Sequence, residues 1–112
     1  MAEQYIKIPG ENFVGGSSNS LDVATKTADY TAGEDDHVIW IDASSNTVDI
    51  DLPSASGIAG RYYKIKAIDI TYAASVTPSG IETIEGASGS CTFSYLYEQI
   101  DIISDGTNWL YA

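Results

Sequence analysis

Few side chains in this sequence have the chemistry of an active site. His37 is the only histidine and Cys91 the only cysteine. A nucleophilic triad needs His37 between an acid and a Ser or Cys, and no Gly-x-Ser-x-Gly elbow or equivalent marks such a meeting. His37 follows Glu34-Asp35-Asp36 and opens an apolar run, which is the position of a structural histidine at a strand end. Cys91 alone forms no internal disulfide and supplies no structural zinc site.

Carboxylates are plentiful. Glu34-Asp35-Asp36 and Asp49-Ile50-Asp51 offer oxygen ligands to a hard cation, but their spacing matches no calcium loop, and alternation sets Asp49 and Asp51 on the solvated face of a strand. Paired acids could also hydrolyse a glycosidic bond at a suitable separation. With sixteen acids in the chain some pair is inevitable, so a carboxylate-dependent glycan hydrolase is a rival that sequence cannot develop. Tyr62, Tyr63, Tyr72, Tyr95, Tyr97, Tyr111 and Trp109 could stack on sugars or fill a core and a subunit interface, since aromatic rings serve both ends. No catalytic residue, cofactor site or metal site is expected.

The elements that would position these residues are strands. Arg61-Tyr62-Tyr63-Lys64-Ile65-Lys66-Ala67-Ile68-Asp69-Ile70 alternates apolar and polar side chains without Gly or Pro, the pattern of a strand. Tyr63, Ile65 and Ala67 fall on one face, with Lys64, Lys66, Ile68 and Ile70 on the other. Val38-Ile39-Trp40-Ile41 is apolar at every position and predicts a central strand buried on both sides. Residues 37–52 read as a hairpin turning at Ser44-Ser45-Asn46, and Asp105-Gly106-Thr107-Asn108 as a second hairpin turn. Shorter strands are expected around 23–31, 81–84, 91–95, 97–104 and 109–111. No window of ten residues keeps a helical apolar period. The fold class is all-β, an antiparallel β-sandwich or jelly-roll-like barrel, with Val38, Trp40, Val48, Ile50, Leu52, Ile65, Ile100, Ile102 and Trp109 in its core.

Two regions follow. Residues 1–20 form an N-terminal arm, Tyr5-Ile6-Lys7-Ile8 ending at Pro9-Gly10, and a Gly/Ser linker; residues 21–112 form the β domain. At 112 residues, 44% of them hydrophobic, the chain has the size and composition of one globular domain. No apolar run approaches the roughly 18 residues of a membrane helix, and the first residues lack the pattern of a signal peptide. The net charge of −11 repels nucleic acid and anionic membranes. Three of the five basic residues, Arg61, Lys64 and Lys66, sit in one strand. That cluster is expected to meet carboxylates across a subunit interface.

Six segments in order resemble a small β module recurrent in bacteriophage tail fibres and other virion appendages. They are Trp40-Ile41-Asp42-Ala43-Ser44-Ser45, Val48-Asp49-Ile50-Asp51-Leu52-Pro53, Gly60-Arg61-Tyr62-Tyr63-Lys64-Ile65-Lys66, Val76-Thr77-Pro78-Ser79-Gly80, Glu82-Thr83-Ile84-Glu85-Gly86 and Ser104-Asp105-Gly106-Thr107-Asn108-Trp109, so that the resemblance spans about residues 28–112. It implies a compact β domain that works as a homotrimer on the particle surface, and it transfers no catalytic motif. The short arm and the absence of a repetitive shaft point to a capsid decoration (cement) protein or short head fibre. On this reading the protein is made in the host cytoplasm, lies on the virion surface and attaches to the capsid or other virion proteins through Tyr5, Ile6, Lys7, Ile8 and Phe13. The rival in the same setting is a tail-fibre tip that recognises host surface glycans.

Overall fold

The computed structural model describes residues 21–112. The expected arm, with Tyr5, Ile6, Lys7, Ile8 and Phe13, lies outside the described residues. Eleven strands make up the fold: β1 (Val23–Lys26), β2 (Tyr30–Thr31), β3 (Val38–Asp42), β4 (Val48–Asp51), β5 (Tyr62–Asp69), β6 (Ala74–Thr77), β7 (Thr83–Ile84), β8 (Ala87–Ser88), β9 (Cys91–Thr92), β10 (Gln99–Ser104) and β11 (Trp109–Tyr111). They form a seven-stranded sheet, ordered β1-β3-β5-β10-β11-β7-β8, and a four-stranded sheet, ordered β2-β4-β6-β9. The described residues contain no helix. The all-β sandwich expected from alternation is the architecture found.

The pairing is mixed rather than uniformly antiparallel. β1, β3 and β5 run parallel in one layer, with Val23, Val38 and Lys64 forming one rung. In the other layer β2, β4 and β6 run parallel, with Tyr30, Ile50 and Val76 in line. The chain therefore changes layer after every strand from β1 to β6, and each successive pair of strands is one turn of a flattened coil. Antiparallel pairing returns at one end, where β10 joins β5 and β11, and β9 joins β6.

This arrangement corrects the expected hairpin over residues 37–52, because β3 and β4 lie in opposite sheets. The bend at 43–46 carries the chain across the sandwich instead of back beside itself. Its backbone groups are satisfied by the next turn of the coil: Ala43 N–H donates to the Asp69 carbonyl at 3.1 Å, and Tyr72 N–H to the Ala43 carbonyl at 2.8 Å. Ala43 is buried and needs such partners, and the stacked coil supplies them. The turn expected at 105–108 is present. Asp105 Oδ1 accepts from the N–H groups of Thr107 and Asn108, both at 2.8 Å, and these donors hold the Asp105 carboxyl below its ordinary pKa. Between β7 and β8 the two-residue loop Glu85-Gly86 has φ of 52° and 83°. Positive φ at both positions is the signature of a type I′ turn.

The core lies between the layers. Ile39, Ile41, Tyr63, Ile65, Ala67, Ile102 and Trp109 of the large sheet meet Val48, Ile50, Ala74 and Val76 of the small one, all fully buried. Each of the larger aliphatic side chains contributes about 1.5–3 kcal/mol by leaving water. The rings of Tyr63 and Trp109 pack with centroids 5.6 Å apart. Val48, Ile50, Leu52, Ile65, Ile100, Ile102 and Trp109 occupy the core as expected. Trp40 does not, being 38% exposed on the outer face of the large sheet. Val38 is buried but belongs to that same outer face, since alternation sets it with Trp40 and opposite Ile39 and Ile41.

Candidate self-association face

Outward side chains of the large sheet form three registered rows, and beyond them the next rung of β3 and β5 pairs Asp42 with Asp69 across a bulge. Val23, Val38, Lys64 and Asp101 make the first, Thr25, Trp40, Lys66 and Gln99 the second, and Tyr62, Ile103 and Leu110 the third. Six of these eleven side chains are aliphatic or aromatic. An outer sheet face of a soluble sandwich usually alternates to polar residues, so this one is unusually apolar. Trp40, Val23 and Leu110 are each more than a third exposed.

A polar knot crosses the rows. Asp101 lies directly opposite Lys64 in the antiparallel β5–β10 ladder, and the two form an ion pair at 3.9 Å. The Tyr62 hydroxyl donates to Asp101 Oδ2 at 3.1 Å, and Gln99 Nε2 donates to Asp101 Oδ1 at 3.0 Å. Partial burial, reinforced by the hydrogen bond to the Asp101 carboxylate, raises the Tyr62 pKa. The pair itself is partly exposed and worth at most about 1 kcal/mol. Its value is geometric, because with the two hydrogen bonds it gathers Tyr62, Lys64 and Gln99 on one carboxylate.

Arg61, Lys64 and Lys66 do not share one surface. Lys64 and Lys66 project outward at alternate positions of β5. Arg61 has the opposite parity, and its guanidinium acts on the inward Tyr63 hydroxyl, lowering a phenol pKa that burial raises more strongly. That hydroxyl donates to the Gly33 carbonyl at 2.9 Å. The cation pair on the outer face is therefore Lys64 and Lys66, and the residues that surround it, Trp40, Ile103 and Leu110, were not legible as a surface. Strand order alone reveals that β10 sits beside β5 and β11 beside β10.

The remaining candidates lie apart. His37 stands just before β3, where its carbonyl accepts from Lys64 N–H at 2.9 Å. Cys91 is on β9, at the edge of the other sheet. On the outer face of the four-stranded sheet, Asp49 Oδ1 accepts from the hydroxyls of Ser75 and Thr77, each at 2.7 Å. Asp51 lies within hydrogen-bonding reach of Asp49, and that contact, followed by burial and the negative charge of Asp49, raises the Asp51 pKa. Among the described residues no three His, Cys, Asp or Glu side chains converge as cation ligands.

The tyrosines divide. Tyr63 and Trp109 are core, while Tyr72, Tyr95, Tyr97 and Tyr111 are at least half exposed. The 94–98 loop runs from Phe93, whose N–H donates to the Ala74 carbonyl, to Tyr97, whose N–H donates to the Ala67 carbonyl. It thus spans the strand ends that residues 70–73 connect, which places Tyr72 on the same end of the sandwich. Glu98 Oε1 ties the loop down by accepting from the N–H groups of Ser94 and Tyr95. No family model and no curated protein matches this chain.

Proposed function

We propose that this protein is a bacteriophage virion structural protein, a homotrimer that decorates the capsid and attaches through residues 1–20. The reading is carried by the resemblance of six turn and strand segments, in order, to the virion-appendage module. What the fold adds in support is a compact all-β unit with an apolar outer sheet face, a surface suited to packing against copies of itself. Attachment then falls to the N-terminal segment, whose Tyr5-Ile6-Lys7-Ile8 run and Phe13 lie upstream of the domain. A protein truncated to residues 21–112 is expected to keep the far-ultraviolet and thermal signature of the whole chain yet fail to bind particles lacking the protein. Binding at full occupancy by the truncated protein would overturn attachment through the arm.

A second reading is a tail-fibre tip for host surface glycans. It is favoured by exposed Tyr95 and Tyr97, on a loop pinned by Glu98, with exposed Tyr72 on the 70–73 connection at the same end of the sandwich. Rigid exposed tyrosines offer ring faces at little entropic cost.

A further inference from the structure

We propose that the link between Asp105 and Gly106 is the site at which this chain's backbone isomerises to isoaspartate, and that Ser104 holds the link in check while the fold is intact. The inference stands apart from the virion reading and rests on the β10–β11 turn alone.

The sequence singles out the link, because it is the only Asp-Gly or Asn-Gly step in the chain. In such a step the glycine nitrogen, unhindered by a Cβ, attacks the side-chain carboxyl carbon of the aspartate. The carboxyl hydroxyl and the N–H proton leave as water, and a five-membered succinimide closes. Water then adds at the main-chain carbonyl of Asp105 and breaks its bond to the Gly106 nitrogen. The former side-chain carbon becomes part of the backbone, the α-carboxylate is left as the branch, and the mass of the chain is unchanged.

The turn needs both residues. Gly106 has φ of 96°, a conformation that a residue with a side chain rarely adopts. Asp105 Oδ1 accepts from the N–H groups of Thr107 and Asn108, bonds that isomerisation would take away. The labile step is therefore built into the turn that precedes Trp109.

Ser104 supplies the restraint. Apart from Tyr63 and Trp109, it is the only buried residue with a polar side chain among the described residues. Its hydroxyl donates to the Ala55 carbonyl at 2.8 Å and accepts from the Gly106 N–H at 3.0 Å. The attacking nitrogen is thus tied to a side chain that the 53–60 connection fixes in place, and the Gly57 N–H reaches the Gly106 carbonyl at 3.4 Å. The electrophile is restrained as well. Closure needs the neutral acid, and the N–H groups of Asn108 and Thr107 favour the ionised Asp105.

The test incubates full-length protein at neutral pH and measures isoaspartate at residue 105 by peptide mapping, where the modified peptide keeps its mass and shifts its retention. Folded wild type is expected to isomerise at least tenfold more slowly than the same chain held unfolded in guanidinium. Ser104→Ala, matched to wild type in its far-ultraviolet signature, is expected to isomerise at least threefold faster than wild type. A readout that needs no variant guards against misfolding: hydrogen exchange of the Gly106 N–H in wild type is expected to be at least tenfold slower than in the unfolded chain. Folded wild type that isomerises as fast as the unfolded chain, or isoaspartate that accumulates first at another residue, would overturn the assignment of the link. Exchange of the Gly106 N–H at the unfolded rate, or a folded Ser104→Ala protein that isomerises no faster than wild type, would overturn the role of Ser104.

Discussion

Trp109 and Trp40 carry the same side chain to opposite fates. Trp109 is sealed between the layers against Tyr63, and its indole Nε1–H has no hydrogen-bond partner among the described residues. A buried donor without a partner costs about 1–3 kcal/mol. Trp109→Phe removes that donor along with some ring area, and its net cost is expected to stay below about 2 kcal/mol. Trp109→Ala leaves a cavity and is expected to cost about 3–5 kcal/mol. Denaturant titration of the two variants checks the difference, and a loss for Trp109→Phe as large as that for Trp109→Ala would contradict it. The burial of Trp109 was legible because it follows a strong turn signal and heads an apolar strand. The exposure of Trp40 was not, since an all-apolar run reads as burial on both faces whether the second face meets the core or the solvent.

Strands were legible and their partners were not. Alternation located β3, β4, β5, β10 and β11 and the inward residues of β4, β5 and β10, because period-two patterning depends only on which face is buried. It carries no information on whether the next strand pairs alongside or crosses to the other layer. Ser44-Ser45-Asn46 suits either outcome, and the unequal distances from Val23 to Val38 and from Val38 to Lys64 leave no sequence repeat to betray the coil. The outer face of β4 gives a test at this scale. Asp51 has a raised pKa beside Asp49, so its favourable contribution is present in acid and is lost as pH rises through that raised value. Asp51→Asn is therefore expected to stabilise the fold near neutral pH, by about 0.5 kcal/mol or less given solvent screening, with no gain below the carboxylate range. Thermal melts at the two pH values check it, and destabilisation at neutral pH would contradict the sign.

For the whole molecule, the dominant fact is a net charge of −11, with Lys64 and Lys66 together on one sheet face. The separate placement of Arg61 divides the basic strand between two roles in the proposed trimer. Lys66→Glu puts a carboxylate on the outer face and is expected to loosen the trimer, most at low ionic strength where screening is weakest. Arg61→Glu, acting at the Tyr63 hydroxyl, is expected to lower fold stability while changing self-association less. Dissociation constants at low and high salt separate the two, and a larger effect of Arg61→Glu on association would contradict the assignment of faces. The sandwich itself could be anticipated from the density of short strands, whereas the composition of its outer face depended on long-range strand order.

The proposed place of this chain on a virion head is tested most directly by electron imaging of intact particles. The expected result is three-fold density of all-β protein at regular positions on the capsid lattice, lost from particles made without the protein and restored by adding it back. Density at the tail tip with a bare head, or particles unchanged by the protein's removal, would contradict the account.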